Sequence, residues 1–448
     1  MIYFIPGNSQ QSRPSYNRRA TSLTKPTFSM DSYMSKLSIV AIALLVCLLP
    51  SAVIAQTSSE SNYLLQVDVP DSLYSEVLQE QRSYWVHLPG GRSLVEGQSY
   101  PVIYLLDGGV LLGGLAAIQE FYNQFRLPEM IVVGISNANN RTRDLTPSSI
   151  DSRHGASVQE SGGSDRFMSF LADELIPLID SQYPTTTHRV LIGHSYAGLF
   201  AVNTLVTRPD VFTNYVAIDP SLDWDDQRWM ERTLSTLESS DLTGKGLFVS
   251  VANEIIRFSH LLTPETVMAD TTAFSLGIRS LLLFVTKLKS TPPKGLRFDW
   301  KYYPQDIHGS VPLVGMRDAL VSLYDFWELK TPSLYNNPET PTGELLALIR
   351  NQSSARSTNM GYPQPMEEEL LDMLAFMSLD AGQPDKARAI LELTAGYYPT
   401  SSSIHESIME VCLTTEDYDC AQTHAAEADR IEGGTQLSEK VMEARKSR

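Results

Sequence analysis

RVLIGHSYAG, residues 189–198, is the strongest indication of the fold of this chain. It begins as an apolar run typical of a buried strand, turns at a small-residue motif around Ser195, and continues into the helix-like residues 199–202. The usual motif is G-x-S-x-G. Here Ala197 stands at the second glycine and Gly198 follows it, a variant that a tight turn tolerates. A serine hydroxyl becomes a strong nucleophile when such a turn presents it beside a base and facing backbone N–H groups. The stretch therefore predicts that Ser195 is a catalytic nucleophile.

Strands and helices alternate along the chain on both sides of this turn. An amphipathic helix is predicted over 165–180, and strands are predicted at 64–69, 83–89, 101–106, 130–135, 215–218, 246–251 and 297–303. This alternation predicts the α/β class, with a mostly parallel central sheet, helices on both faces and the architecture of an α/β-hydrolase. We place this catalytic domain at residues 62–330. Because ligands bind such sheets at the carboxyl ends of the strands, functional residues are expected there.

The acid and the base of a catalytic triad follow the serine along the chain in this fold. His308 lies in a loop that leaves the last predicted strand, so we predict that it takes the proton of Ser195. Glu254 follows the preceding strand and is the predicted acid that orients the imidazole. Glu265 and Asp270, further along the chain, stay open as alternatives to Glu254.

Groups at other strand ends complete the predicted site. The oxyanion of acyl transfer needs two N–H donors, which we expect from Tyr196, directly after the nucleophile, and from Gly109, after the third strand. Arg143 and Asp144 follow the fourth strand, and they either grip a polar group of the substrate or form a salt bridge within their own loop. Trp224 either lines the pocket or anchors a covering helix.

A set of segments, taken together, points to a known family. They are RSYWVHLP at 82–89, YLLDG at 104–108, RTRDLTP at 141–147, ELIPLID at 174–180, the Ser195 turn, IDPSL at 218–222 and HGSV at 308–311. The set resembles the putative-esterase (esterase D-like) family of α/β-hydrolases, and segments 141–147 and 218–222 look most like its siderophore-esterase branch. The resemblance implies the triad Ser195–Glu254–His308, an ester or thioester substrate, and neither a metal nor a cofactor. Several members of the family have aspartate where this chain has Glu254.

The first 55 residues are typical of a leader and not of a folded domain. Lys36 precedes an apolar run over 37–49, and small residues follow up to Ala55. The run is short for a membrane span of ~20 residues, so we predict a signal peptide cleaved near Ala55, with Met34 as an alternative start. The mature protein is therefore expected in the periplasm or outside the cell, without a membrane span. A net charge of −17 argues against nucleic acid as a partner.

A helical unit is predicted after the catalytic domain. Prolines mark 331–365 as a linker, a helix–turn–helix pattern repeats with a period of ~34 residues over 366–433, and 434–448 is a tail. The pattern resembles two copies of the tetratricopeptide repeat, which implies packing on the hydrolase or on a protein partner. Cys412 and Cys420 fall on the two helices of the second copy, where a disulfide would join them.

These features together predict an exported serine hydrolase that cleaves carboxylic esters through an acyl-enzyme intermediate. Its substrate is a small-molecule ester, and the alternatives are a catecholate trilactone siderophore and a feruloyl or acetyl ester. Peptidase and acyltransferase activities stay open because the same triad performs both. A different class, a non-catalytic scaffold that binds through the helical repeats, is disfavoured by the intact set of Ser195, Glu254 and His308.

Overall fold

The computed structural model describes residues 70–91, 94–95, 97–123 and 126–446. The predicted leader and its cleavage site near Ala55 lie outside these residues. Among the described residues, no helix is both long enough and apolar enough to cross a membrane.

Strands from the described part of the chain form a central sheet and a small hairpin. They are β1 Asp71–Ser75, β2 Glu80–His87, β3 Tyr100–Leu106, β4 Ile131–Ile135, β5 Ser152–Arg153, β6 Ala156–Ser157, β7 Thr185–His194, β8 Asn214–Ile218, β9 Gly246–Ala252 and β10 Arg297–Tyr303. The eight-stranded sheet has the order β1-β2-β4-β3-β7-β8-β9-β10, and β5 pairs with β6. β2 is antiparallel to both of its neighbours, whereas the pairs from β4 to β10 are all parallel.

Helices connect the parallel strands and continue beyond the sheet. They are α1 Gly108–Tyr122, α2 Arg141–Leu145, α3 Ser164–Phe170, α4 Ile176–Gln182, α5 Tyr196–Thr207, α6 Arg228–Ser239, α7 Leu276–Ser290, α8 Val311–Leu323, α9 Pro332–Asn336, α10 Thr342–Met360, α11 Glu368–Asp380, α12 Pro384–Tyr397, α13 Ser402–Thr414, α14 Tyr418–Glu432 and α15 Gln436–Lys446. A π-helical turn over Leu171–Leu175 joins α3 to α4. Short 3-10 turns lie at Pro89–Gly91, Ile255–Arg257, Val267–Ala269 and Ala273–Ser275.

The hydrophobic core lies on both faces of the sheet. Every residue of β3, β4, β8 and β9 is buried, as expected for apolar strands that are covered on two sides. Alternate residues of β3 enter different layers: Tyr104 packs in one cluster with residues of α5, and Ile103 packs in the other with residues of α1 and α8. The chain therefore has the layered α/β architecture that the alternating pattern predicts.

The parallel register brings the ends of three strands together. His194, the last residue of β7, pairs with Ile218, the last residue of β8, and Ile218 in turn pairs with Ser250 near the end of β9. The loop after β10 begins beside Ala252, because that residue pairs with Tyr303. Residues that follow these strands therefore share one edge of the sheet.

The segment 331–365, for which the sequence indicates a linker, carries α9 and α10. Two of its prolines lie at helix starts: Pro332 occupies the first turn of α9, and Pro341 is the N-cap of α10. Met360, at the end of α10, is buried in the core on the α1 and α8 face of the sheet. Arg356, also buried, lies over the Trp327 ring at 4.1 Å from its centroid. The end of α10 is therefore packed on the core beside the sheet, whereas Tyr335 of α9 is buried together with the helices after 366.

The helices after 366 form successive hairpins, and they share a hydrophobic core with Tyr335 of α9 and with Leu345 and Ile349 of α10. α13 begins 34 residues after α11, and α14 begins 34 residues after α12. A disulfide joins Cys412 on α13 to Cys420 on α14. The segment 434–448, described above as a tail, contains α15, whose Val441 is buried. The kinship with tetratricopeptide repeats stays a prediction.

Candidate active site

A strained turn presents Ser195 between β7 and α5. Its backbone has φ 63° and ψ −119°, a region that L-residues rarely occupy and that is found at functional sites. Gly193 is required here because a Cβ atom at that position would lie 2.1 Å from the carbonyl oxygen of Ala197. At Gly198 a Cβ would lie 3.0 Å from the Cβ of Pro220. The small residues of the motif thus allow the sharp turn that exposes the Ser195 hydroxyl.

The imidazole of His308 is bound to a buried carboxylate. His308 Nδ1 donates to Asp219 Oδ2 at 2.6 Å, and the Asp219 side chain is 3% exposed. The other oxygen of Asp219 accepts a hydrogen bond of 2.8 Å from the N–H of Ala252. Because Nδ1 carries the donated proton, Nε2 is left as the basic nitrogen of the neutral ring. The His308 ring lies against the ring of His194, the neighbour of Ser195, with 4.4 Å between their centroids.

Glu254, which the sequence predicts as the acid, contacts the backbone of His308 and not its ring. Its Oε1 accepts the His308 N–H at 2.7 Å, and its Oε2 accepts from Arg257 at 2.9 Å. The difference arises from sheet order: Asp219 follows β8, which lies directly beside β7, the strand before Ser195, whereas Glu254 follows β9, one strand further away. In the sequence, Asp219 is indicated only through the family resemblance, as part of IDPSL.

The two alternative acids also lie away from the ring of His308. The carboxylate of Glu265 accepts from the Thr263 hydroxyl, and that of Asp270 accepts from Thr272 and Ser275. In the structure the imidazole therefore meets Asp219 and none of the acids that the sequence analysis considered.

The two expected oxyanion donors lie in the first turns of helices. Gly109 is the second residue of α1, and Tyr196 is the first residue of α5. N–H groups in a first helical turn have no acceptor within the helix, and the helix dipole makes them favourable for a negative charge. Gly108, just before, is needed because a Cβ there would lie 2.5 Å from the backbone of Gly134. Both loops follow neighbouring strands of the sheet, β3 and β7.

Burial keeps His194 neutral beside this site. Desolvation lowers its pKa to about 4, and the nearby His308 contributes in the same direction. His194 is therefore unprotonated at neutral pH, and its carbonyl and ring serve as fixed neighbours of Ser195 and His308.

Comparison with known proteins supports an esterase. Residues 75–248 match the model of the family described as "Putative esterase". This segment of the chain is therefore similar to the putative-esterase family. The matched residues include Ser195 and Asp219, and His308 lies beyond them.

Two proteins similar to this part of the chain are described as siderophore esterases. The ferri-bacillibactin esterase BesA of Bacillus subtilis is 30% identical over 172 residues, which are 34% of this chain and 59% of that protein. The siderophore triacetylfusarinine C esterase of Aspergillus fumigatus is 31% identical over 138 residues, 28% of this chain and 45% of that protein. The chain thus spans about half the length of these relatives.

A solved structure similar to this chain is that of an IroE-like serine hydrolase from Shewanella oneidensis. It is 28% identical, covers 73% of this chain and 99% of its own, and superposes with a TM-score of 0.60. The predicted α/β-hydrolase fold is confirmed by this likeness.

A charged network contains Arg143 and Asp144. The sequence left two alternatives for them, contact with the substrate or a salt bridge. Arg143 binds Glu80 and Asp144 at 2.7 Å each, and Arg82 reaches the other side of Asp144 at 2.8 Å. The hydrogen bond from Arg143 lowers the pKa of Glu80 to about 2. Asp144 is buried, so the network fixes α2 to β2 and the salt-bridge alternative fits the geometry.

Trp224 is fully buried beneath the site. Its indole N–H donates to the Ser148 hydroxyl at 3.0 Å, and its ring meets the Tyr196 ring edge-on at 5.4 Å. Trp224 therefore packs against Tyr196 from the protein interior and is not exposed to a substrate.

The β5–β6 hairpin brings a charged group to Tyr196 that the sequence did not indicate. Arg153 donates to the Tyr196 hydroxyl at 2.8 Å and to the two oxygens of Asp223 at 2.7 and 2.8 Å. His154 Nε2 also lies 2.9 Å from Asp223. Arg153, His154 and Asp223 line a cavity of about 330 Å³ together with Asp151. Residues 149–154 of this lining lie in a polar loop that carried no motif, and Asp223 directly follows the IDPSL segment.

Among the described residues, no group of three or more histidine, cysteine, aspartate or glutamate side chains is arranged to hold a metal ion.

Proposed function

We propose that the chain is a serine esterase that acts through the triad Ser195, His308 and Asp219, with Asp219 in the role predicted for Glu254. The observation that carries the proposal is the 2.6 Å hydrogen bond from His308 Nδ1 to the buried Asp219, at the strand end next to the strained Ser195 turn. Such a carboxylate fixes the tautomer in which Nε2 accepts a proton, and it stabilises the imidazolium that forms.

The proposed reaction has two acyl-transfer steps. His308 Nε2 takes the proton of Ser195 as Oγ attacks the ester carbonyl, and the N–H groups of Gly109 and Tyr196 bind the oxyanion. The tetrahedral intermediate collapses to an acyl-enzyme while the imidazolium gives its proton to the leaving alkoxide. A water molecule, deprotonated by His308, then attacks the acyl group. The second tetrahedral intermediate collapses as His308 returns this proton to Ser195 Oγ, which releases the acid and regenerates the enzyme.

A siderophore ester is the substrate class that the similar proteins favour. Two relatives are described as siderophore esterases, and the similar solved structure is described as IroE-like. We also propose export, because residues 35–55 have the pattern of a cleaved signal peptide. A protein partner of the helical unit stays a proposal that depends on its repeat pattern.

The proposal is tested by assaying the full chain against p-nitrophenyl acetate and butyrate, a feruloyl ester and a tris-catecholate trilactone. We expect Ser195→Ala to remove turnover of every ester that the wild type cleaves. Ser181→Ala, which changes an exposed serine on α4, is the matched control and is expected to retain full activity. A folded wild type that turns over none of these esters would contradict the proposal and favour the scaffold alternative. Equal activity of Ser195→Ala would contradict the role proposed for Ser195.

A further inference from the structure

One arginine joins the two loops that carry the expected oxyanion donors. Arg141, at the start of α2, binds the carboxylate of Asp107 through Nε at 3.0 and 3.1 Å and through a terminal nitrogen at 2.9 Å. The same terminal nitrogen donates to the carbonyl oxygen of His194 at 3.0 Å. Its guanidinium also lies 5.4 Å from the centroid of the Tyr196 ring.

Both partners of Arg141 lie directly beside the donors. Asp107 precedes Gly108–Gly109 and has φ 55°, so its backbone sets the direction in which α1 begins. The Asp107 N–H donates to the side-chain oxygen of Asn137. The Asp107 carbonyl accepts from the N–H groups of Val110 and Leu111. His194 is the last residue of β7 and stands two residues before Tyr196.

We propose that Arg141 is a positioning residue that holds the Gly109 and Tyr196 N–H groups at the spacing an oxyanion requires; this rests on the proposed esterase function. Arg141 touches neither the nucleophile nor the base, and it acts through Asp107 and the His194 carbonyl. A planar guanidinium can bind a carboxylate with two nitrogens and still reach a third acceptor, which a lysine ammonium cannot do in the same fixed geometry.

The expected effect is on the transition state. Loss of one oxyanion donor costs roughly 10²–10³ in kcat, and a misplacement of about 1 Å can cost ~10². Because the ground-state carbonyl needs the donors less than the oxyanion does, Arg141→Ala is expected to lower kcat by ~10²-fold and to leave KM within about threefold.

The experiment compares Arg141→Ala, Arg141→Lys and Asp107→Asn in the full chain, with p-nitrophenyl butyrate as substrate. Asparagine is chosen at position 107 because it tolerates a positive φ. The affinity of a trifluoromethyl ketone, which forms a tetrahedral adduct with a serine, is measured beside kcat and KM. We expect the affinity for the ketone to fall in parallel with kcat, and Arg141→Lys to recover only part of the loss. The double variant Asp107→Asn, Arg141→Ala is expected to lose little more activity than Arg141→Ala alone.

Arg208→Ala is the matched control. Arg208 makes the same two-nitrogen contact with Asp210, at 3.1 and 3.0 Å, but at the far end of α5 and on the surface. It is expected to keep the wild-type kcat and ketone affinity.

Three results would overturn the inference: an unchanged kcat in Arg141→Ala, a loss that lies in KM alone, or a ketone affinity that does not follow kcat. If Arg141→Ala does not fold, Arg141→Lys and Asp107→Asn decide by the same criteria. Failure of the inference is distinct from failure of the proposed function, because Ser195→Ala tests the latter in the same assay.

Discussion

The acid that orients His308 is the residue on which sequence and geometry differ, and it can be tested by one pair of variants. Asp219→Asn presents an amide to Nδ1, which favours the wrong imidazole tautomer, so kcat is expected to fall by ~10³–10⁴-fold. Glu254→Gln keeps an oxygen that can accept the His308 N–H, and we expect less than about a tenfold change. Steady-state kinetics on p-nitrophenyl butyrate, with melting temperatures as a check on folding, measure both. The reverse order of effects would return the acid to Glu254.

At the scale of elements, the turn from β7 to α5 depends on a glycine that no side chain can replace without movement. A Cβ at Gly193 would overlap the Ala197 carbonyl at 2.1 Å, so Gly193→Ala is expected to displace Ser195 and lower kcat by ~10²-fold or more, with a lower melting temperature. Gly113→Ala is the matched control within α1, where a Cβ meets nothing within 4 Å. It is expected to leave kcat unchanged and to stabilise the fold by about 0.5–1 kcal/mol. Wild-type activity in Gly193→Ala would show that the turn can relax.

Features that depend on local sequence could be predicted, whereas features that depend on the order of strands in the sheet could not. The Ser195 turn and the buried strands were predictable because their signals, small residues and apolar runs, are local. The partner of His308 was not, because the choice between Asp219 and Glu254 depends on which strand lies beside β7, and chain order does not state that. The prolines at 332 and 341 are compatible with either a linker or helix starts, and only packing on Trp327 and its neighbours distinguishes the two.

For the whole molecule, a buried histidine joins the sheet to the helices after it. His188 Nδ1 lies 3.2 Å from the Met360 carbonyl, which requires Nδ1 to be the donor, while Nε2 lies 3.0 Å from the Tyr324 hydroxyl and 3.1 Å from the Asn214 amide nitrogen. A neutral ring satisfies all three contacts, whereas a protonated ring would direct a second N–H at the Asn214 amide group. Burial accordingly lowers the pKa of His188 to about 4.

This shift sets a pH dependence of stability with a definite sign. The pKa of His188 is lower in the folded state than the usual value of about 6.5, so the unfolded chain binds the extra proton between pH 6.5 and 4. The free energy of unfolding should therefore be fully retained above about pH 6.5 and fall as the pH drops to 4, by up to ~3 kcal/mol for this one histidine. His194, whose pKa is also about 4, adds a fall in the same window.

Urea unfolding of the wild type and of His188→Gln at several pH values between 7.5 and 4 separates the two histidines. The glutamine side chain cannot titrate, so the variant should lose less stability on acidification, although it should be less stable at pH 7.5 because it lacks the imidazole bond to Met360. Near pH 5, the slope of unfolding free energy against pH should be smaller in His188→Gln than in the wild type by about one proton. Equal slopes in the two proteins would mean that His188 has the same pKa in the folded and in the unfolded state. The contact between the sheet and α10 would then depend on Arg356 and Trp327, and not on a neutral imidazole.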